Sequence, residues 1–600
     1  MHKFLSFIKE FRIPKKHELR NALNSFSQKE FYIFAAILIT ATISMFLVLN
    51  RLNNKFLVDV PVSGGSITEG IIGMPTLVNP VLAVSDADKD MVSLIYSGLM
   101  RRDANGNFIN DLASSNSVST DGLIYTFVLK DNVTFHDGKK ITTDDIIFTV
   151  NKIKDSTIKS PKRTAWEGIT VEKADDKTVI FKLKQPYISF LDNMTIGILP
   201  SHIWKNIEDS QFNISSFNIK AVGSGPYKFS SVTKNKDGIP EKYVLKRFTN
   251  FALGVPHIKN ITIVSYANEK ELLGAILNGS IDQASGISPV NAESLKNNSR
   301  IIHTAATPRI LGIFYNSLNN KIFADANVIK AFNYALNKQE IVDKVLYGYG
   351  TTVESPVPLT IIPNNEIRDT STDFVQKAND LLEKSGWTMK EDGVRSKGGT
   401  TTVTKTRKVG KKTITEKVKV NNGPLIPLSF SLTTGDSKEL RYATEIIKAE
   451  FEKIGAKVDI QKVYEMGPLN QVIRDREYEA LFFGQIINQE SHLYSFWHSS
   501  QRKAPGLNIS MYNNAKVDKI LEESQKTMDQ DTRISKYKDL VLEFNKDLPA
   551  LLIYSPQFLY VTSSDLNNIN INNLINPSDR FASVYEWYAN KDHVWKIFTK

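Results

Sequence analysis

Residues that could do chemistry are few in this chain. No Gly-x-Ser-x-Gly elbow, no His-Glu-x-x-His pair, no phosphate loop ending Gly-Lys-Ser/Thr and no cysteine cluster occurs, so the usual nucleophile, metalloprotease, nucleotide and thiolate chemistries lack their residues. His136-Asp137 comes nearest to a metal pair. It sits in the turn Phe135-His136-Asp137-Gly138-Lys139, with no second His or Asp at ligand spacing, and reads as a turn. Gly223-Ser224-Gly225-Pro226 looks like a nucleophile loop, but a strand-like Tyr227-Lys228-Phe229 follows it where a helix would be required, so it too reads as a structural turn. His498, beside Trp497, has the chemistry of a general base without an identifiable partner. No nucleophile and base pair can be named among these residues, which makes an enzyme, such as a surface hydrolase, the last alternative.

The elements that would position a binding site are α/β. Ser66 to Ile72 reads as a strand and Lys89 to Met100 as a helix, with Met91, Leu94, Ile95 and Leu99 at helical spacing. Asp121-Gly122 is a hairpin turn feeding the alternating strand Ile124 to Lys130, and Thr142 or Thr143 caps a helix whose first turn holds Asp144 and Asp145. Asp325 caps a helix carrying Val328, Ile329, Phe332 and Leu336, expected to continue past Asn337 to Val345. Asp436 to Ile454 is a second amphipathic helix stopped by Gly455 and followed by strands Lys457 to Val463 and Ala480 to Ile487.

Ahead of these elements, Phe31 to Leu49 is 19 residues without a charge, long enough as a helix to cross a bilayer core. Residues 1–30 carry seven Lys or Arg against three Glu, which places the N-terminus in the cytoplasm and the rest outside. No small-residue cleavage site follows the run, so an uncleaved anchor is expected over a signal peptide. The absence of cysteine excludes a lipidated-Cys anchor, disulfides and thiolate metal sites. Hydrophobic content of 41% with 32 Phe and 21 Tyr suffices for packed cores. The net charge of +11 is mostly local, in the N-terminal tail and in Arg395 to Val420, where nine basic residues face Glu416 alone. The remainder is near neutral, which argues against nucleic acid. The 395–420 stretch alternates Thr and Val with Lys around Val409-Gly410-Lys411 and reads as a protruding, solvated hairpin.

Seven segments, taken in order, resemble the family 5 extracellular solute-binding proteins, the peptide/nickel group serving ABC importers. They are Pro75 to Pro80; Asp90-x4-Ile95-Tyr96-Ser97-Gly98-Leu99; Asp121 to Leu129; the 17 positions Val133 to Thr149, with Phe135-His136-Asp137-Gly138-Lys139; Gly223-x-Gly225-Pro226-Tyr227-x-Phe229; Ala331 to Lys338; and Phe496 to Gln501 with Pro505-Gly506-x-Asn508. The resemblance implies an α/β, two-lobed periplasmic-binding-protein-like fold (type II, cluster C) with an extra subdomain, here preceded by one transmembrane helix. The implied division is a tail 1–30, anchor 31–49, polar stalk 50–63, lobe I from 64–105, 200–305 and 555–600, subdomain 106–199, and lobe II 306–554 with the hairpin insertion.

Such proteins hold a peptide largely through its backbone between closing lobes and hand it to a membrane permease. The implied ligand contacts are Val84, Ser85 and Asp86, where relatives pair main chain with ligand, together with Gln485, Asn488, Glu490 and Trp497. Gln485 and Asn488 stand where the family has Trp and Asp. A neutral amide at 488 offers an acceptor without a counter-charge for a ligand ammonium, a deficit Glu490 is positioned to make up. The expected protein is therefore a non-enzymatic, membrane-tethered monomer of the cell surface, without cofactor, that passes peptides to an ABC permease. The alternatives are the same fold binding an oligosaccharide or metal chelate, and a tethered sensory or adhesive receptor.

Overall fold

The computed structural model describes residues 15–362, 374–409, 412–421 and 423–598. The chain divides into one unit of residues 1–62 with 590–600 and a second of residues 63–589.

In the smaller unit, the apolar run lies inside the helix Gln28–Phe56, which starts at a capping box. The Ser27 hydroxyl accepts from the Glu30 N–H, and the Glu30 carboxylate accepts from the Ser27 N–H at 2.9 Å. It is the one helix among the described residues long and apolar enough to cross a membrane. In place of a polar stalk, the helix continues to Phe56 and the next residues form the strand Leu57–Val62. That strand pairs antiparallel with Asn590–Trp595, from the stretch expected to close the first lobe. Residues 1–14 of the basic tail lie outside the described residues.

Three sheets are the largest among the described residues of the larger unit. A seven-stranded sheet runs in the order Arg300–Ala305, Phe558–Ser563, Gln283–Ser285, Gly64–Ile72, Ile258–Tyr266, Pro240–Arg247, Tyr227–Lys234, with Gly64–Ile72 parallel to both its neighbours. A six-stranded sheet takes Gly350–Thr352, Ala550–Pro556, Arg309–Tyr315, Ala480–Ile486, Ser429–Gly435 and Lys457–Tyr464. A four-stranded antiparallel sheet comes from residues 113–183. In it, alternation along Ile124–Leu129 buries Tyr125, Phe127 and Leu129.

Two local readings change. The helix after Asp325 ends at Ala335, because the Asn337 side chain accepts from the Glu340 N–H at 3.1 Å and caps a separate helix, Lys338–Leu346. The basic hairpin comprises Thr400–Val409 paired with Lys412–Asn421, and Gly410 and Lys411 lie outside the described residues. Arg395 is no part of it. That side chain is buried and donates to Glu383 Oε2, Asn379 Oδ1 and the carbonyls of Trp387 and Ile454.

Glu69, Asp90 and Arg580 form a fully enclosed ion cluster. Arg580 grips Asp90 with two parallel bonds of 2.7 Å and reaches Glu69 Oε1 at 2.8 Å, while the Tyr560 hydroxyl donates to Glu69 Oε2 at 2.7 Å. The cluster fastens the helix Asp86–Ile95 to the seven-stranded sheet.

His136 has a comparable fastening role, in a turn that Gly138 N–H to Phe135 carbonyl closes at 2.9 Å. Its N–H donates to the Gly223 carbonyl at 2.8 Å, its Nε2 lies 3.1 Å from the Gly225 carbonyl, and its Nδ1 accepts from the Gly223 N–H. Burial pushes its pKa from 6.5 down to about 4. The folded chain thus refuses a proton that the unfolded chain accepts in that window. Stability fully present above pH 6.5 is lost as pH falls toward 4, by up to about 1.4 kcal/mol per pH unit from this group. Denaturant melts at pH 7 and pH 5 should show a smaller loss for His136→Gln than for the native chain. Equal losses would refute the assignment.

Candidate functional site

Ser85 caps the helix Asp86–Ile95, its Oγ accepting from the Asp88 N–H and donating to Asp88 Oδ2 at 2.6 Å. Asp88 Oδ1 accepts in turn from the N–H groups of Thr76 and Leu77, both at 2.8 Å, which fixes the Pro75 to Pro80 segment. Pro80, Ala83, Lys89 and Tyr96 then form one wall of a cavity of about 480 Å³. Val84, Ser85 and Asp86 lie beside this wall and are not among its lining residues. Val84 is 61% exposed, Ser85 is spent on the cap, and Asp86 faces Lys89 at 3.8 Å.

Lys162, Trp166 and Asp192 of the subdomain segment face that wall. Arg101 binds Asp111 at 2.8 Å and Arg102 binds Asp192, so the arginines at the rim arrive already paired. Burial pushes the Asp192 carboxyl above its usual range against the pull of Arg102, and pushes the Lys162 ammonium down, with Lys89 adding repulsion. Unpaired capacity remains: the Tyr96 hydroxyl and Asp111 Oδ1 are buried without a hydrogen-bond partner. Such groups are costly when dry, and a ligand can satisfy them.

The third wall is the loop after the strand Ala480–Ile486. Asn488 lines the cavity with a buried Oδ1 that has no partner, and Gln489 lines both this cavity and a second one of about 790 Å³ that also shares Pro161 and Ala165. Glu490 points elsewhere. Its carboxylate is taken up by Arg533 Nε at 2.9 Å and the Tyr537 hydroxyl at 2.9 Å. Gln485 and Trp497 are buried and line neither cavity. Both Gln485 side-chain polar atoms and the Trp497 indole N–H lack partners, and the Trp497 ring packs 4.8 Å from that of Phe544.

Sequence reasoning missed Lys162, Trp166 and Asp192, which lie in or beside the single-turn helices Arg163–Trp166 and Phe190–Asn193, too short to write a periodicity into the sequence. Their one signal is tertiary placement.

His498 acquires partners that spacing did not reveal. Nδ1 lies 2.8 Å from Ser500 Oγ and Nε2 3.3 Å from Glu522, with the ring stacked 4.1 Å from that of Tyr494. The same Nδ1 accepts from the Ser500 N–H, so the imidazole caps the short turn Ser499–Gln501. Neither cavity reaches it.

Ile575, Asn576, Ser578, Asp579 and Ala582 complete the lining, so four segments surround one half-open space with polar and apolar walls. The sequence pattern of the bacterial extracellular solute-binding proteins, family 5, matches residues 107–506. The chain belongs to this family. The oligopeptide-binding protein AppA of Bacillus subtilis is 28% identical over 521 residues, covering 83% of this chain and 87% of AppA. The nickel-binding periplasmic protein of Escherichia coli is 27% identical, over 80% of this chain and 86% of that protein. Among solved structures, B. subtilis AppA in complex with a nonapeptide superposes with a TM-score of 0.61 at 25% identity, over 88% of this chain and 99% of that one. NikZ from Campylobacter jejuni in complex with Ni(L-His) gives 0.64 at 26%, over 87% and 99%. This family 5 protein thus has the mixed α/β binding-protein fold, with one apolar helix at its N-terminus.

Proposed function

We propose that this protein captures peptides in the cavity between residues 80–111, the subdomain segment and the Asn488–Gln489 loop, and delivers them to an ABC permease from a membrane tether formed by Gln28–Phe56. The protein acts as a monomer with its N-terminus in the cytoplasm and performs no catalysis. The observation that carries the reading is a cavity of about 480 Å³ whose lining includes Asn488, Asp111 and Tyr96, each with a buried side-chain oxygen that lacks a hydrogen-bond partner, in a chain related to AppA. Backbone amides have the donors such acceptors need, whatever the side chains.

A ligand at 100 times its dissociation constant stabilises by about 2.7 kcal/mol, so mixed-sequence peptides should raise the melting temperature of the full chain in detergent by about 2 °C. No shift across a broad peptide library would refute the peptide reading. A second reading, a metal chelate, is favoured by the similarity to the nickel-binding relatives, and stabilisation by Ni(L-His) instead of peptides would establish it.

Asn488 sets a further outcome. Asn488→Asp should tighten peptides with a free amino terminus over their acetylated forms by roughly tenfold, the difference between a neutral and a charge-assisted hydrogen bond. Equal discrimination in both proteins, read by calorimetry, would remove Asn488 from the ligand's amino end.

A further inference from the structure

The strand Asn590–Trp595 runs antiparallel to Leu57–Val62 with Trp595 opposite Leu57, so Trp595 is brought to the point where the apolar helix stops. Trp595 is fixed to the helix itself. Its indole N–H donates to Asn53 Oδ1 at 2.7 Å, and its ring lies 6.2 Å from that of Phe56, one helical turn further on. Asn53 stands about 6 Å beyond Leu49 along the helix axis and Phe56 about 10 Å. The headgroup layer on each side of a bilayer core is of similar depth, roughly 5–8 Å. Immediately after Trp595, Ile597 and Phe598 are 76% and 75% exposed, and Phe56 is half exposed. Arg51, Lys55 and Lys596 lie among these apolar residues, and all three are exposed.

We propose that the C-terminal segment Trp595 to Phe598 is a second membrane contact, a collar in which Trp595 lies in the headgroup layer and Ile597 and Phe598 enter the lipid interface beside the helix. Three observations on independent residues support it. The register places the end of the strand Asn590–Trp595 at the membrane end of the ladder. Trp595 is hydrogen-bonded at headgroup height, the level that tryptophan favours. The two large apolar side chains that follow are exposed, which suits an interfacial segment with basic neighbours facing lipid phosphates. Lipid is the occupant because Trp595 is bonded to the end of the helix that enters the membrane and the two exposed apolar residues follow it directly. The inference rests on the tether reading of Gln28–Phe56.

The chain contains no cysteine, so single labels can be placed cleanly. Full-length Ile597→Cys, Phe598→Cys and, from the opposite end of the ladder, Asn590→Cys would be labelled with a polarity-sensitive fluorophore. Each would be reconstituted into phosphatidylcholine/phosphatidylglycerol vesicles, with and without nitroxide-bearing lipid. The expected result is a blue-shifted, lipid-quenched signal at 597 and 598 and a solvent-like, unquenched one at 590. Signals at 597 and 598 matching that at 590, in protein that still resists extraction by alkaline carbonate, would overturn the collar and leave the tether standing. Extraction of the whole chain by carbonate would overturn the tether and the collar with it.

Discussion

Arg580→Leu is expected to lower the unfolding free energy by about 3–5 kcal/mol, because it strands two buried carboxylates with no counter-charge. Arg580 and Glu69 are wholly inaccessible and Asp90 nearly so. Burial already holds both carboxyls above their usual range with the guanidinium in place, which works against that upward push. Without it they should take up protons in the folded state. A folded carboxyl with a raised pKa binds protons more tightly than the unfolded chain, so the variant's stability should fall as pH rises through the carboxylate range and beyond. Urea melts of the full chain in detergent should therefore show the variant less impaired at pH 5 than at pH 8. Changing Glu69 and Asp90 to their amides in the same chain should restore part of the loss. Ligand affinity should fall too, since Lys89 and Tyr96 on the cavity wall belong to, or directly follow, the helix that Asp90 anchors. A loss below about 1 kcal/mol with no pH effect would mean water reaches the cluster.

The cluster also marks where sequence legibility ends. Ile124–Leu129 was readable because one face is buried and the other is not, which writes a period of two into the residues. The stop of Lys438–Glu452 was readable because Gly455 takes φ +76°, a conformation glycine adopts freely. Arg395 was misread as the start of a charge run, since a buried arginine and a solvated one are the same letter until Glu383, Asn379 and two carbonyls gather around it. The pairing of Leu57–Val62 with a strand more than five hundred residues away leaves no local trace, and neither does the facing of Lys162 and Asp192 across a cavity. The site shows the same division. Family resemblance led to Asn488, which lines the cavity, and to Val84, Ser85 and Asp86, which stand beside the wall. It also led to Glu490, whose charge is committed to Arg533 and Tyr537, both distant in sequence.

Gly223→Ala should cost about 3 kcal/mol, near the upper end for overpacking, although the residue reads as an ordinary turn glycine. A methyl group there would sit 2.1 Å from the Ile95 carbonyl oxygen, where separations under 3.0 Å are essentially never seen. That oxygen cannot simply withdraw. It ends the helix Asp86–Ile95 and accepts from the Gly225 N–H at 2.8 Å, while His136 grips the same loop from the other side. The requirement is one of backbone approach, so Gly225→Ala, with its methyl 2.6 Å from the Ile95 carbonyl carbon, should behave alike. Gly274→Ala provides the contrast. It lies within the helix Glu269–Leu277 with nothing inside 4 Å of the added carbon, and should stabilise by about 0.5–1 kcal/mol through helix propensity alone. Because Tyr96 follows Ile95 and lines the cavity, Gly223→Ala should also weaken ligand binding, whereas Gly274→Ala should leave it unchanged. If melts and titrations found the two variants alike, the Gly223–Gly225 loop would be a passive connection; if they differ, it is the backing on which the ligand wall is set.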